Sequence, residues 1–358
     1  MVEKQKIKLV LEDGSIFEGE SFGAHISTNG ETVFNTGMMG YPEAITDPSY
    51  RGQILVFTYP LVGNYGVPNQ EKDADGLHKF FESDNLHIKA LIVSEYSKEY
   101  SHWNAEKSLG QWLKENNIPG ISGIDTRTLT QKLREKGAMM GKIIANNKDV
   151  EFHDPNKDNL VAEVSIKEPV TYKRGKKTII CVDCGVKNNS IRNILDRGYT
   201  VRRVPWNYDF IKAGEKFDGV YLSNGPGDPT IVKETIEIIK KCLDLNKPVF
   251  GICLGNQVMA LASGAKTYKL KYGHRGQNQP CIDLQDERCY ITSQNHGFAV
   301  NEKTLSKDWE VWFRNSNDNT VEGIRHKKKP FFAVQFHPES CPGPNDTEDI
   351  FDKFLDLV

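Results

Sequence analysis

Residues 250–261 read FGICLGNQVMAL, an apolar run that ends at Cys253 and a helix-like run that starts at Leu254. A thiol at such a junction can serve as a nucleophile. Gly251 and Gly255, two residues to either side, leave room for a sharp turn and for a substrate to approach the backbone. At a helix N-terminus the thiol gains thiolate character from the dipole and the free N–H groups. The amide of Leu254 then points at any oxyanion formed on an attacked carbonyl. Read alone, Cys253 is better explained as a small buried hydrophobe at a strand end. Two other stretches reverse that preference. VQFHPES sets His337 and Glu339 two residues apart after an apolar strand, which sends both side chains off one face. A cysteine nucleophile needs such a pair, a base for its proton and a carboxylate to fix the base's tautomer. LSNGPGDP runs an apolar strand into Gly225-Pro226-Gly227, small residues that expose backbone N–H groups. In isolation this is a plain turn and His337 a structural histidine.

The elements that must hold these residues are legible around them. From Lys177 onward the sequence predicts strands at KTIICVDCG, TVRRVPW, FDGVYLS and KPVFGIC, alternating with helices at VKNNSIRNILDRGY, TIVKETIEIIKKCLDLN and LGNQVMALASG. Strands apolar throughout, alternating with amphipathic helices, imply an open, mostly parallel α/β sheet covered on both faces. In such a sheet, sites gather at the carboxyl ends of the strands. The tail adds β segments at RCYITSQNHGFAV and TVEGIRHKKKPFFAVQFHPES and a closing helix at TEDIFDKFLDLV. The first half is mixed α/β without a repeat. Asp13-Gly14 between alternating apolar stretches marks a hairpin, ETVFNTG, QILVFTYP and HIKALIVSEY read as strands, and AEKSLGQWLKENN and TRTLTQKLREKG read as helices, the second capped by Asp125. The polar, charged stretch between them divides the chain into a domain at 1–150, a linker at 151–176 and a domain at 177–358.

Bulk properties agree with two domains and exclude several function classes. A chain of 358 residues exceeds one ordinary core. Its 46 lysines and arginines nearly balance 48 aspartates and glutamates, so no basic field is available for nucleic acid or an anionic membrane. No apolar run approaches the ~20 residues that span a bilayer, and residues 1–15 mix acids and bases without an apolar core. These features predict a cytoplasmic location, or a mitochondrial one where a transit peptide has been removed. Seven scattered cysteines point to reduced thiols rather than a disulfide framework.

Together GICLGNQ, SNGPGDP and FHPE, in this order, resemble the triad-type class I glutamine amidotransferases. The N-terminal stretches LVLEDGSIFEGESFGA, GETVFNTGMMGYPEAITDPSY, TYPLVGNYG and GIDTRTLTQKLREKG look like the small subunit of carbamoyl phosphate synthetase, or the matching part of the fused eukaryotic enzymes. The likeness spans essentially the whole chain. RGQNQPC and QNHGFAV lean toward the fused type. The resemblance implies that Cys253 attacks the side-chain amide of L-glutamine, that His337 is general base and acid, that Glu339 orients it, and that the amides of Leu254 and Gly225 form the oxyanion hole. It implies further that glutamine is held at Ser49, Gly225, Gly227, Leu254, Gln257, Asn295, Gly297 and Phe298, with Ser49 coming from the other domain. Asn256 departs from the commoner CLGHQ and resembles the urea-cycle branch, some members of which have lost the cysteine. Here Cys253 and Gln257 are both kept.

The glutaminase step implied needs no metal or organic cofactor. The chain has no glycine-rich nucleotide signature, so ATP and Mg chemistry belongs to a synthetase partner, a large subunit or fused synthetase domains, fed with ammonia along a sheltered path. A glutaminase serving a different synthetase and a non-catalytic regulatory subunit are the alternatives. The first fails to explain the N-terminal half, and the second fails to explain an intact Cys253, His337 and Glu339. Cys181 and Cys184 in CVDCG read as core rather than zinc or redox residues. His296 reads as a structural neighbour of the substrate strand, and RHKKKP as a solvated turn.

Overall fold

A computed structural model describes residues 5–358. The first four residues of the predicted N-terminal domain lie outside the described part. The chain divides into two compact units between Asn156 and Lys157.

In the first unit seven strands close into a barrel: β1 (Lys6–Leu11), β2 (Ile16–Ser21), β3 (Thr28–Asn35), β4 (Gln53–Phe57), β5 (Ala90–Ile92), β6 (Gly120–Ser122) and β7 (Met139–Ala145), in the order β1-β7-β3-β4-β5-β6-β2. The hairpin predicted at Asp13-Gly14 joins β1 to β2. Gly14 takes φ +85°, and the Asp13 carboxylate accepts the Ser15 amide at 3.0 Å. Alternation turns Ile7, Leu9 and Leu11 inward, where they are buried. Helix α1 (Leu109–Glu115) starts at Ser108, whose hydroxyl accepts the Gln111 amide at 3.2 Å; the preceding Ala105–Lys107, predicted helical, is extended. Helix α2 (Thr126–Lys136) is capped by Asp125, which accepts the Thr128 amide at 2.9 Å.

The second unit is built on a ten-stranded sheet. Its strands are β8 (Val170–Tyr172), β9 (Thr178–Asp183), β10 (Thr200–Pro205), β11 (Gly219–Leu222), β12 (Val249–Ile252), β13 (Thr267–Asp283), β14 (Cys289–Val300), β15 (Trp309–Asn315), β16 (Val321–His326) and β17 (Phe331–Val334). They lie in the order β8-β10-β9-β11-β12-β17-β16-β15-β13-β14. The five central strands β10, β9, β11, β12 and β17 pair in parallel. The rest of the sheet is antiparallel. Parallel pairing is thus confined to strands with a helix or long crossover between them, and it ends where hairpins begin. The predicted helices are α3 (Asn188–Asp196), α4 (Lys233–Asp244), α5 (Leu254–Ala262) and α6 (Ile350–Leu355). They cover both faces. Ile180, Val182, Val220 and Leu222 share one core with α4 and α5, whereas Tyr221 and Phe250 meet Phe351 of α6 from the opposite side. Within the predicted linker, Leu160–Val164 is a short helix and β8 extends the sheet edge.

The elements least visible in the sequence are β13 and β15. β13 carries lysines, histidine, arginine and three interior glycine or proline positions, and it bulges between Lys269 and His274 and between Gly276 and Gln279. Gly273 takes φ +72°, and a Cβ there would lie 2.4 Å from the His296 carbonyl oxygen. Among the described residues, no helix is long and apolar enough to cross a membrane. The RHKKKP stretch is an exposed turn between β16 and β17, where the His326 ring accepts the amides of Lys328 and Lys329.

Candidate active site

Strand β12 runs directly into α5, and Cys253 is the single residue between them. It takes φ 54°, ψ −104°, a left-handed-side conformation that a side-chain-bearing residue adopts only under constraint. The flanking glycines supply that constraint. A Cβ on Gly251 would lie 2.7 Å from the Gly255 backbone, and one on Gly255 would lie 2.3 Å from the Leu222 carbonyl oxygen. The turn therefore closes only because both positions lack a side chain.

The Cys253 amide donates to the Val334 carbonyl at 2.8 Å, carrying the β12–β17 ladder one residue further. Three residues beyond Val334 stands His337, whose amide donates to the Ser293 carbonyl at 2.8 Å. The Cys253 thiol in turn faces the Asn295 carbonyl at 3.6 Å. Cys253 and His337 thus both meet the same short segment of β14, at the carboxyl ends of two adjacent parallel strands.

His337 and Glu339 do meet, but not by strand alternation as the sequence suggested. β17 ends at Val334, and both residues lie in the turn that follows it. His337 Nδ1 and Glu339 Oε1 are 2.7 Å apart with both side chains buried. A carboxylate accepts only, so Nδ1 carries the hydrogen and Nε2 presents its lone pair. Among the described residues Nε2 has no hydrogen-bond partner. It is the free basic atom of the site.

Glu339 has a second partner that no motif announced. Lys187 Nζ stands 3.4 Å from Glu339 Oε1, itself buried, and Asn189 Nδ2 donates to the Glu339 carbonyl at 2.5 Å. Both come from the loop and helix after β9. Asp183 shapes that loop: its Oδ1 accepts the amides of Gly185 and Val186 at 2.9 Å, while its Oδ2 takes the Arg203 guanidinium at 2.8 Å. The position of Lys187 just past a parallel strand was the available signal. Burial alone would raise the Glu339 pKa, but the His337 ring and the Lys187 ammonium outweigh it and hold the carboxyl down at about 2. A folded value below the ordinary 4.5 means that this stabilisation is complete above about pH 4.5 and is lost as the pH falls toward 2. Lys187→Met is therefore expected to cost about 1–3 kcal/mol at neutral pH and to move the acid-unfolding midpoint upward. Circular dichroism against pH checks this; superimposable curves for the two proteins would contradict the ion pair.

The two amides expected to meet an oxyanion are those of Leu254 and Gly225. Leu254 is the first residue of α5, so its amide has no acceptor within the helix. Gly225 follows β11, and a Cβ on it would lie 2.2 Å from the Cys184 carbonyl and 2.8 Å from the Leu254 side chain. The loop therefore packs directly on the residue that follows Cys253. Gly227 takes φ +82°, which turns the SNGPGDP loop away.

Of the other residues expected to hold substrate, Asn295, Gly297 and Phe298 line the β14 segment just described. Gly297 has the buried Arg275 guanidinium behind it, 3.3 Å from where a Cβ would stand. Gln257 sits on α5 with its Nε2 donating to the Phe298 carbonyl at 2.8 Å and to Gln335 Oε1 at 3.1 Å. Its donor holds the strand. Asn256, the departure from the common motif, is fully buried, and its Nδ2 also donates to Gln335 Oε1 at 3.1 Å. It supports the first turn of α5 from beneath. Ser49 belongs to the first unit, buried in the single turn Pro48–Tyr50, where its amide donates to Asp47 at 2.9 Å.

Cys181 and Cys184 remain core residues: both are buried free thiols, and burial raises both pKa values. Among the described residues, one group of His, Cys, Asp or Glu side chains has metal-ligand spacing, namely His274, His296 and Glu322.

Residues 180–357 match the family described as glutamine amidotransferase class-I, and residues 9–143 match the CPSase domain of the carbamoyl-phosphate synthase small chain. The multifunctional protein CAD of Squalus acanthias is 54% identical over 98% of this chain, which covers 16% of that protein. The multifunctional protein pyr1-3 of Dictyostelium discoideum is 52% identical over 100% of the chain, covering 17% of that protein. The mitochondrial carbamoyl-phosphate synthase (ammonia) of Homo sapiens is 50% identical over 100% of the chain, covering 24% of that protein. The chain thus spans from about a sixth to a quarter of the length of these relatives.

Proposed function

Because the chain belongs to the class-I glutamine amidotransferases, with a carbamoyl-phosphate synthase small-chain domain ahead of that fold, we propose that it hydrolyses L-glutamine to glutamate and ammonia. The ammonia passes to a carbamoyl phosphate synthetase partner. The observation that carries the reading is the Cys253 turn beside a histidine whose Nδ1 is locked on Glu339 and whose Nε2 is free.

His337 Nε2 takes the thiol proton, and the Cys253 sulfur adds to the side-chain carbonyl carbon of glutamine. The resulting oxyanion is met by the amides of Leu254 and Gly225. Collapse breaks the C–N bond, and His337 returns its proton to the departing nitrogen, releasing ammonia and leaving a γ-glutamyl thioester. Water then adds with His337 again as base, and glutamate leaves as the thiol is restored. Glu339 stays ionised throughout, and Lys187 keeps it so. Asn295, Gly297 and Phe298, with Gly227 and Gln257, hold the substrate. The step uses no metal and no organic cofactor, ATP and Mg acting on the synthetase. Released into water, ammonia would be protonated and lost as a nucleophile, so transfer to the partner is sheltered. The near balance of 46 basic and 48 acidic residues favours a protein that acts without nucleic acid or an anionic membrane, in the cytoplasm or, where a transit peptide has been removed, in mitochondria.

A match at residues 9–143 weighs against a glutaminase serving a different synthetase. The test is glutamate release by the purified chain, alone and with synthetase domains supplied, together with carbamoyl phosphate formed from glutamine. Release that rises with the partner is the expected result. Carbamoyl phosphate formed from ammonia but not from glutamine, with no glutamate in either arm, would make the chain a regulatory subunit instead.

A further inference from the structure

Three buried side chains from three strands converge beside the Phe298 carbonyl. His274 of β13 and His296 of β14 are directly opposite one another in register, and Glu322 comes from β16. His274 Nδ1 stands 3.2 Å from His296 Nε2 and 3.2 Å from Glu322 Oε1, and the third side of the triangle, His296 Nε2 to Glu322 Oε1, is 3.6 Å. Ligands bonded to zinc at about 2.0–2.1 Å in a tetrahedron stand about 3.3 Å apart, so the triangle has the size of three corners of such a site.

The far side of each ring is also occupied. His274 Nε2 is 2.8 Å from Asp318 Oδ2, and His296 Nδ1 is 2.9 Å from the Phe298 carbonyl. Carboxylate and carbonyl oxygens accept only, so both far nitrogens carry hydrogens. In the neutral rings both facing nitrogens then present lone pairs, and they face a carboxylate as well; the donors nearby are Thr320 Oγ1, 3.2 Å from Glu322 Oε1, and Asn315 Nδ2, 3.5 Å from His274 Nδ1. Gln294 Oε1 adds a fourth acceptor, 3.2 Å from His296 Nε2. Glu322 Oε2 is buried without a hydrogen-bond partner among the described residues. One proton on either facing nitrogen relieves the contacts of that nitrogen but leaves Glu322 Oε2 without a partner. A divalent cation relieves them all, and a ligating histidine whose other nitrogen donates to a carboxylate or carbonyl is the usual outer arrangement of such sites.

We propose that His274 Nδ1, His296 Nε2 and the Glu322 carboxylate bind a divalent transition metal of the zinc class, with the fourth position open to water or Gln294. The metal would tie β13, β14 and β16 together at the segment that carries Asn295, Gly297 and Phe298. Its role is structural, because the carbonyl that His296 holds is the one that Gln257 also holds. The proposal does not depend on the glutaminase reading, since metal content is measured without turnover.

The full chain, stripped with a chelator and reloaded with Zn²⁺ or Co²⁺, provides the test. The expected result is one metal retained per chain after desalting, Co²⁺ bands of a four-coordinate site, and an unfolding temperature raised by roughly 5–10 °C at a free metal concentration of ~100 Kd. Glu322→Gln removes the retained metal. Asp318→Asn, at a half-exposed position that keeps the fold, weakens affinity by roughly 10–100-fold. No retained metal and no shift on loading would overturn the proposal and leave a shared proton in its place. Retention unchanged in both variants would overturn it as well, by showing that the metal lies elsewhere.

Discussion

Cys253→Ala is expected to lower glutamate release by roughly 10⁴-fold or more, with the fold intact. The reasoning starts from the backbone. Cys253 holds φ 54° because Gly251 and Gly255 let the strand turn into the helix within one residue, and that geometry does not depend on the sulfur. Alanine meets the same strain as cysteine, so the substitution removes one atom from a buried position and little else. Its cost in stability is about 1 kcal/mol, a shift of a few degrees in unfolding temperature. Activity, by contrast, is expected to lose the sulfur on which the proposed thioester forms. The oxyanion donors and the substrate contacts remain, but water lacks a comparable nucleophile at that place. Glutamate release that persists at even a tenth of the native rate would remove Cys253 from the chemistry.

A loss of similar size, roughly 10³–10⁴-fold, is expected for His337→Ala, and here the pattern matters as much as the magnitude. His337 Nε2 is buried without a hydrogen-bond partner among the described residues, and the proposed mechanism asks it for four proton transfers in turn. Removing it should depress kcat far more than it raises KM, since the substrate contacts come from β14, α5 and the SNGPGDP loop. Glu339→Gln keeps the shape of its partner. Its amide can donate to His337 Nδ1, which favours the wrong tautomer and turns the lone pair away from the thiol. Its rate should therefore fall without a matching loss of structure. Steady-state kinetics on the three proteins, with near-ultraviolet circular dichroism as a check on folding, tests the set. A His337→Ala variant that loses only KM would reassign the residue to binding.

Much of this arrangement could be read before any coordinates, and the reasons differ by residue. The Asp13-Gly14 hairpin and the Asp125 cap were legible because turn and cap chemistry is local. The Cys253 elbow was legible because a strand, two spaced glycines and a helix leave a chain few other ways to turn. The pairing of His337 with Glu339 was correctly expected, yet it arises in a turn after β17 and not from strand alternation, since β17 stops at Val334. What the sequence concealed was non-local. Lys187 reaches Glu339 across the carboxyl edge of the sheet, and Arg275 backs Gly297 from β13, a strand too charged and too glycine-rich to read as one. The buried amide set of Asn256, Gln257 and Gln335 belongs to the same class. Each of its members is an ordinary polar residue until the fold closes over it. The five antiparallel strands outside the parallel core were only partly visible for a related reason: long β13 is defined by its partners and not by its own pattern.

Main-chain contacts hold the site's residues in place. Cys253 is held by its amide to Val334, and His337, three residues on, by its amide to Ser293, while the Cys253 thiol meets the Asn295 carbonyl, so neither residue moves without breaking a main-chain hydrogen bond. Misplacement by about 1 Å can cost two orders of magnitude in rate. Asn256, through Gln335, holds the first turn of α5 that carries the Leu254 amide.

The central claim is covalent chemistry at Cys253, and it is tested most directly by trapping the intermediate. Glutamine labelled in its carbon skeleton is mixed with the chain and quenched in acid during turnover, and the digested peptides are analysed by mass spectrometry. The predicted result is a γ-glutamyl adduct on the peptide bearing Cys253, labile to hydroxylamine and absent in Cys253→Ala. Turnover of glutamine with no adduct at Cys253, or with an adduct on another residue, would contradict the account.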